Sequence, residues 1–459
     1  MTDARQRRVV VVGAGFGGLE VVRSLERAPV AITLVDRHNH HCFQPLLYQV
    51  ATAALSPADI AWPIRSILRN QDNVTTLMAD VDGIDVVGRV VHAGVRAIPF
   101  DDLVLATGAT HAYFGNDEWA KAAPGLKTIE DAAAIRRDIL IAFERAEYTD
   151  DPLERARQLT FVVVGGGPTG VEMAGAIAEV AKKALTRDFR RIDPRKARVV
   201  LVEAGPRVLG GFPENLSDYA ARALRKMGVE VMTDTPVTGC DEGGVDTKTG
   251  RIEARTIVWG AGVRASPAAE WVGGKADRAG RLEVEADLTV PGHPEIFAIG
   301  DTAHILQENG KPVPGIAPAA KQMGAYVARV LAARAKGAPP PGPFRYRHEG
   351  DLATIGRKAA VVKRGRLELT GFLGWLAWSL AHVYFLIGLR ARIVVGMTWL
   401  WSYATYRRGA RLIANGPPAK PLPPEAAPVA ASEEDIEAVR DARADQARPA
   451  RGRSESAIR

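Results

Sequence analysis

The chain has 459 residues, of which 47% are hydrophobic and 25% are charged, and its formal net charge is +7. This length is too great for one core and predicts two or three folded domains of ordinary globular composition. Only two cysteines, Cys42 and Cys240, are present, which excludes a disulfide framework and a cysteine-rich metal site. We therefore expect a multidomain protein of a reducing compartment without a bound metal.

A glycine-rich turn follows the first predicted strand, in the run Gly13-Ala14-Gly15-Phe16-Gly17-Gly18. In G-x-G-x-x-G, the first glycine makes a tight strand-to-helix turn, the second lets the backbone approach a pyrophosphate, and the third permits close helix packing. Asp36 ends the next β-branched run and is the acid expected to hold a ribose hydroxyl. The first unit is therefore predicted to bind a dinucleotide.

A second turn of the same kind follows the β-branched run 161–164, in Gly165-Gly166-Gly167-Pro168-Thr169-Gly170. Its acid is Glu203, displaced by an apparent insertion over residues 181–197. A carboxylate accepts from a 2'-hydroxyl and repels a 2'-phosphate, so Glu203 favours a dinucleotide without a 2'-phosphate, with nearby Arg207 moderating the preference. Dinucleotides at both turns predict electron transfer between them.

Three more strand-like elements complete the pattern, and they end in Thr107-Gly108, Gly260-Ala261-Gly262 and Gly300-Asp301. With both turns, they resemble the flavoproteins that contain two dinucleotide-binding domains. The resemblance implies an α/β fold with two Rossmann-like domains of the glutathione-reductase type, the second inserted in the first, plus a C-terminal membrane-binding helical region. The implied boundaries are 1–115 and 290–345 for FAD, 116–289 for NADH, 346–415 for membrane anchoring and 416–459 for a disordered tail.

The same resemblance implies which residues hold the two cofactors. Those implied for FAD are Gly13, Gly15, Phe16, Gly17, Gly18, Asp36, Arg37, Val81, Thr107, Gly108, Asp301 and Ala319. Those implied for NADH are Gly165, Gly167, Pro168, Thr169, Gly170, Glu203 and Gly262.

The cysteine pattern limits which electron acceptors can reoxidise the reduced flavin. Disulfide reductases of this superfamily carry a C-x-x-x-x-C pair after the first ribose-binding acid, and here Cys42 has no such partner. Dithiol chemistry is therefore excluded, and two cysteines are too few for the usual sulfide:quinone oxidoreductase pattern. A soluble NADH oxidase or peroxidase that uses Cys42 stays open, as does a flavoprotein of the apoptosis-inducing-factor type. We interpret Cys42 as a small buried apolar residue.

Three segments, 43–52, 165–175 and 317–322, resemble type II NADH dehydrogenases, the single-subunit NADH:quinone oxidoreductases that do not pump protons. The resemblance implies that Glu172 assists quinone reduction, and that Gln322 and Lys321 line the flavin. Pro318 departs from the family, which often has glutamine there, so that polar contact is in doubt. Tyr48, Gln49 and His382 are weaker candidates for the quinone path.

The C-terminal part carries an uncharged apolar run over residues 371–389 and a second over 393–401, and four of the eight tryptophans lie between 375 and 401. Residues 357–411 contain ten Lys or Arg against Glu368 alone, which indicates an anionic surface as partner. Nothing matches a nucleic-acid module. We expect a helical hairpin in one leaflet on the cytoplasmic face of the cell membrane, rather than a spanning helix or a buried core or dimer helix.

The remaining segments carry less information. The proline-rich stretch 338–343 is predicted to link the FAD domain to the membrane-binding region. The Pro-, Ala- and charge-rich tail after residue 416 is predicted to be disordered, with a short helix at 433–448. The sequence leaves open which quinone is used and whether the protein is a homodimer.

Overall fold

The computed structural model describes residues 6–405 and 409–413. The predicted disordered tail and its short helix lie outside the described residues, as do Arg407 and Arg408 of the basic C-terminal segment.

The first large sheet has six strands, in the order Thr289–Val290, His293–Ala298, Asp102–Leu105, Arg7–Val12, Val30–Asp36 and Val74–Met78. All neighbours are parallel except the first pair, which is antiparallel. Val9 to Val12 are buried, as expected for the centre of a parallel sheet covered on both faces. Two strands come from residues 289–298, so the chain leaves this sheet and later returns to it.

The second large sheet is formed by the intervening residues. Its four parallel strands are ordered Val229–Met232, Arg198–Val202, Thr160–Val164 and Thr256–Trp259. Each residue of Thr160–Val164 is buried. The predicted α/β fold, with the second dinucleotide-binding unit inserted in the first, is therefore confirmed, whereas the exact domain boundaries stay predictions.

Smaller sheets connect and extend the two units. The three-stranded ones are Gly83–Asp85 with Val90–Ala93 and Arg96–Pro99, Val237–Asp241 with Gly244–Thr247 and Gly250–Glu253, and Asp351–Thr354 with Ala360–Arg364 and Leu367–Thr370. The two-stranded ones are His40–Cys42 with Ala61–Pro63, Ala109–His111 with Val263–Ala265, and Leu282–Glu283 with Ala303–His304.

Helices cover the sheets, and two of them begin at the glycine-rich turns. The α-helices are Phe16–Ser24, Leu47–Ala51, Pro57–Ile60, Ile64–Ile67, Ile129–Tyr148, Pro152–Gln158, Pro168–Glu179, Glu214–Lys226, Ala268–Val272, Ala317–Ala335, Gly371–Phe385 and Leu389–Thr405. Helices Phe16–Ser24 and Ala317–Ala335 cross closely. Their backbones approach so tightly that a Cβ at Gly324 would overlap the carbonyl oxygen of Gly17. This crossing brings the first glycine-rich turn beside residues 317–322.

The apolar run predicted over 371–389 forms one helix, Gly371–Phe385, and the next helix begins at Leu389. Leu386 is extended at the end of the first helix, and Gly388 has a φ of +81°, a conformation that glycine adopts without steric cost. Within residues 6–405 and 409–413, no helix is long and apolar enough to cross a membrane.

Candidate active site

The first glycine-rich turn has the geometry that its sequence predicts. Gly13 has a φ of +100°, and a Cβ there would clash with the carbonyl of Ala106. A Cβ at Gly18 would overlap the carbonyl oxygen of Gly13, so helix and strand approach as closely as the backbone permits. Gly15 lies at the helix N-terminus and has no atom within 4 Å of the place where a Cβ would be. This open, amide-lined space fits the pyrophosphate of FAD.

Asp36 lies at the carboxyl end of its strand, next to this turn. One carboxylate oxygen accepts from the Ala14 amide at 2.6 Å and the other from the His38 amide at 2.7 Å. Each oxygen keeps a second lone pair for a ribose hydroxyl. Arg37 follows on the surface, where its Nε lies 3.3 Å from Oδ1 of Asp80, beside Val81. The structure thus brings Asp36, Arg37 and Val81 to one edge of the sheet.

The Thr-Gly and Gly-Asp elements meet on the other side of the turn. Thr302 Oγ1 accepts from the Gly108 amide at 2.9 Å and lies 3.1 Å from Thr107 Oγ1. Asp301 Oδ2 is 3.9 Å from the Lys127 ammonium. Ala319 is buried in the first turn of helix Ala317–Ala335. A Cβ at Gly13 would meet Ala106, and one at Gly17 would meet Ile299 and Ala320, so these elements surround the first glycine-rich turn, and their contact with FAD stays a prediction.

The second turn repeats the first. Gly165 has a φ of +104°, and a Cβ at Gly170 would overlap the Gly165 carbonyl oxygen. Gly167 faces open space, and Pro168 begins the helix, where no intrahelical N–H bond is needed. Glu203 accepts from the amides of Gly166 and Gly205, with the second bond at 2.6 Å.

Two further predicted NADH residues border the second turn. Thr169 lies in the first turn of helix Pro168–Glu179. Gly262 has a φ of +78°, and the ring of Phe114 occupies the space where its Cβ would be. A side chain at Gly262 would be strained and crowded. Glycine therefore allows the backbone at this position to lie close to the second turn.

Glu172 lies on helix Pro168–Glu179, and its carboxyl group is buried. The Thr354 amide donates to its Oε1 at 3.3 Å. Burial raises the pKa of Glu172 to about 8, and that hydrogen bond opposes the rise to a lesser extent. The carboxyl group is therefore mostly protonated at neutral pH and can donate a proton. Thr354, on a strand of the C-terminal region, was missed by the sequence reasoning.

Lys321 and Gln322 both contact the C-terminal region, and Lys321 also lies near the helix that follows the first glycine-rich turn. The Lys321 ammonium lies 5.5 Å from the ring centre of Phe385 and 4.0 Å from Oε2 of Glu20. Gln322 exchanges two hydrogen bonds of 2.9 Å with the backbone of Arg347. In this conformation, the Gln322 amide holds Arg347 at the start of the C-terminal region, and its contact with the flavin stays a prediction.

The predicted quinone-path residues lie together against the C-terminal helices. Gln49 donates to the Tyr48 hydroxyl at 2.8 Å and accepts from the Trp399 indole at 2.7 Å. His382 donates from Nδ1 to the Trp378 carbonyl at 2.8 Å, and its ring stacks on the Trp378 ring at 4.0 Å. Burial lowers the pKa of His382 to about 4, so its imidazole is neutral.

Aromatic rings connect these residues to the first glycine-rich turn. Trp399 lies 5.3 Å from Trp378, His382 lies 6.1 Å from Phe43, and Phe43 lies 5.8 Å from Phe16, between ring centres. We call Trp399, Trp378, His382, Phe43 and Phe16 the aromatic column. Its tryptophans were noted in the sequence only as interface residues, because their contacts lie far away along the chain.

Cys42 has the environment of a packing residue. It is half-buried, and burial raises the pKa of its thiol to about 12. A reactive cysteine needs a lowered pKa, which a neighbouring cation or helix N-terminus supplies. The interpretation of Cys42 as a small apolar residue therefore agrees with its surroundings.

The sequence profile of the pyridine nucleotide-disulphide oxidoreductase family matches residues 7–324. A type II NADH:quinone oxidoreductase of Mycobacterium tuberculosis is 44% identical over 426 residues, covering 90% of this chain and 91% of the relative. The chain belongs to the type II NADH:quinone oxidoreductases. Another of that name, from Staphylococcus haemolyticus, is 31% identical over 80% of this chain and 92% of its own length.

Solved structures agree with this fold. NDH2 from Plasmodium falciparum in complex with NADH superposes with a TM-score of 0.81, at 20% identity, covering 90% of this chain and all of that one. The predicted FAD-dependent NADH:quinone oxidoreductase is confirmed by family membership, and the alternatives of a soluble oxidase and an apoptosis-inducing-factor-like protein are not supported. The roles of the individual site residues stay predictions.

Proposed function

We propose that this chain couples NADH oxidation at the second glycine-rich turn to quinone reduction at the membrane end of the aromatic column, without pumping protons. Bound at the first glycine-rich turn, FAD would supply the two-electron chemistry that links NADH oxidation to quinone reduction. The observation that carries this proposal is the aromatic column, because it joins the FAD turn at Phe16 to a hairpin with an apolar surface.

The NADH side is shaped by the second turn. The open space at Gly167 and the helix N-terminus at Pro168 receive the pyrophosphate, and Glu203 accepts from the adenosine ribose. Glu203 is already oriented by the amides of Gly166 and Gly205. Its fixed negative charge repels a 2'-phosphate, so NADH is preferred over NADPH.

On the flavin side, Asp36 holds the adenosine ribose and the amides after Gly13 hold the pyrophosphate. Asp301 lies next to Thr302, which connects to Thr107 and Gly108, and it binds the ribityl region. The Lys321 cation lies at the N-terminal part of helix Ala317–Ala335, where it stabilises negative charge on the flavin ring.

Quinone approaches the flavin beside the aromatic column, whose rings pack against one another and leave Phe43 and Trp378 only 4% and 1% exposed. Gln49 and Tyr48 form a hydrogen-bonded pair beside Trp399 and can bind a quinone carbonyl. Glu172 is protonated at neutral pH and supplies a proton as the quinone is reduced.

Many large apolar side chains of the C-terminal hairpin are exposed to solvent. Phe372, Leu373, Leu376, Leu380, Tyr384, Leu389, Ile393, Met397, Leu400 and Trp401 are all exposed. Water-soluble surfaces rarely show such a patch, which is typical of membrane-binding sites. Arg364, Arg366, Arg390 and Arg392 are exposed near both helices and suit anionic headgroups. We propose peripheral binding to the cytoplasmic face of the cell membrane.

The test is to purify the protein from membranes, record the flavin spectrum, and measure NADH oxidation with and without a short-chain quinone. The proposal predicts a yellow protein whose NADH oxidation accelerates at least about tenfold when quinone is added, a readily resolved 1.4 kcal/mol difference. A colourless protein, or turnover that ignores quinone, would contradict it.

A further inference from the structure

Phe114 has a backbone conformation that phenylalanine rarely adopts. Its φ is +54° and that of Gly115 is +92°, so both central residues of the turn 113–116 have positive φ values. The Asn116 amide closes the turn by donating to the Tyr113 carbonyl at 3.1 Å. Turns of this kind usually have asparagine or glycine in the first central place, because a bulky side chain there meets the backbone. Phenylalanine at this place is therefore strained.

The turn is held by its neighbours and not by the Phe114 ring. Tyr113 is 6% exposed, donates its hydroxyl to the Ala123 carbonyl at 2.8 Å, and packs against the Trp259 ring at 5.1 Å between centres. The Phe114 side chain, in contrast, is 71% exposed. Burial of this ring within the chain therefore does not offset the strain. Strained backbone positions are concentrated at active sites and ligand-binding sites.

The Phe114 ring lies beside the second glycine-rich turn. A Cβ at Gly262 would lie 2.5 Å from Cζ of Phe114, so the tip of the ring points at Gly262 and its faces are left largely open. A Cβ at Gly165, the first glycine of the turn, would lie 2.7 Å from the amide nitrogen of Ala261. Because Gly262 follows Ala261, Phe114 contacts the residue next to one that touches the turn.

The strand order of the second sheet assigns this edge to the nicotinamide half of NADH. Thr160–Val164, which leads into the turn, lies between the parallel strands Arg198–Val202 and Thr256–Trp259. Glu203 follows the first of these neighbours, and the segment 260–262 follows the second. A dinucleotide with its pyrophosphate at the central turn and its adenosine ribose on Glu203 therefore extends its nicotinamide toward 260–262.

We propose that Phe114 packs against the nicotinamide half of bound NADH and holds it in place at the second turn. A flat, exposed aromatic ring suits the planar nicotinamide, which is uncharged in NADH. The strained turn fixes the ring before NADH binds, so little side-chain freedom is lost on binding. The inference rests on the proposed function, since it requires NADH at the second turn.

Two substitutions separate the ring from the turn that carries it. Phe114→Asn removes the ring and introduces a residue that readily adopts the positive φ. Phe114→Tyr keeps the ring. Tyr148→Asn is the control, because Tyr148 is a similarly exposed aromatic residue, at 76%, and lies at the end of helix Ile129–Tyr148.

The measurement is calorimetric binding to the oxidised holoenzyme of two ligands that cannot donate a hydride. One is the tetrahydronicotinamide analogue of NADH, and the other is ADP-ribose, which lacks the nicotinamide. The Kd of the analogue should rise about tenfold in Phe114→Asn, corresponding to about 1.4 kcal/mol, and stay within about twofold in Phe114→Tyr and Tyr148→Asn. The Kd of ADP-ribose should stay within about twofold in all three variants.

Thermal unfolding of the holoenzyme controls for the fold. Phe114→Asn should unfold at or above the wild-type temperature, because the strain at φ +54° is relieved. Unfolding at a lower temperature would show that the ring is needed for packing and would overturn the inference. Unchanged binding of the analogue, or an equal loss of ADP-ribose affinity, would overturn it too. A wild-type holoenzyme that binds neither ligand would instead refute the proposed function, so the failures are distinguishable.

Discussion

Glu172→Gln tests the proposed proton donor, because it preserves the size and hydrogen-bond acceptor of the side chain and removes its proton. With a pKa of about 8, the wild-type carboxyl group is about nine-tenths protonated at pH 7 and about one-tenth at pH 9. General acid catalysis contributes about 10²- to 10⁴-fold, so we expect flavin reoxidation by quinone to slow about 100-fold in the variant. Flavin reduction by NADH should change less than about twofold.

The assay is anaerobic stopped-flow absorbance at the flavin band, with NADH and quinone added in separate experiments. In the wild type, quinone-driven reoxidation should fall about tenfold from pH 7 to pH 9, and this dependence should vanish in Glu172→Gln. Reoxidation at the wild-type rate, or a loss confined to the NADH step, would refute the assignment.

Stability gives a second readout of the same pKa. Because the folded state raises the pKa of Glu172 from 4.5 to about 8, the folded protein binds more protons than the unfolded chain between these values. This group therefore lowers the free energy of unfolding as the pH rises through that window, by about 2 kcal/mol from pH 6 to pH 8. Glu172→Gln should lack that loss in denaturant titrations, and an unchanged pH dependence would show that Glu172 is not buried as described.

Three further predictions concern other parts of the site. Glu203→Gln should raise kcat/KM for NADPH relative to NADH about tenfold, by removing the repulsion of a 2'-phosphate; a wild-type enzyme that prefers NADPH would contradict this role. Cys42→Ser should keep more than half of the NADH:quinone turnover, because the Cys42 thiol is protonated and packs as an apolar group. Complete loss of turnover would indicate that the thiol takes part in the reaction. Leu380→Glu should weaken binding to anionic vesicles at least about tenfold, from the loss of about 1.5–3 kcal/mol of apolar burial. Leu153→Glu, at an equally exposed leucine outside the hairpin, is its control in a sedimentation assay, and equal binding of both variants would refute the membrane face.

Local sequence was sufficient to predict the two dinucleotide folds. Gly13 and Gly165 need positive φ values that only glycine adopts easily, and each lies between a β-branched strand and a helix. Asp36 follows because strand length and crossover length are constrained in a βαβ unit, whereas Glu203 was recognised as the acid that ends the β-branched run 198–202, despite the insertion before it. These features lie within short stretches of sequence, so the fold class and two dinucleotide sites could be predicted from them, whereas FAD and NADH were implied by the family resemblance.

The contacts between distant segments were not predictable in the same way. Thr354 donates to Glu172 across 182 positions of the chain, and Trp399 donates to Gln49 across 350. Neither pairing leaves a local signal, since it depends on where the C-terminal region packs.

The C-terminal hairpin shows that hydropathy alone does not predict the length of a helix. The run 371–389 is long enough to suggest one continuous span, but its helix ends at Phe385 and the chain turns at Gly388. The composition of this run predicted its apolar character, whereas the backbone conformation at residues 386–388 determines where the helix ends.

The most direct test of the account is a sequential anaerobic titration of the membrane-purified protein. NADH should bleach the flavin absorbance with a stoichiometry of about one NADH per flavin, and a short-chain quinone added afterwards should restore it fully. A flavin that NADH fails to bleach, or that stays bleached in the presence of quinone, would contradict electron transfer from the second glycine-rich turn to the aromatic column.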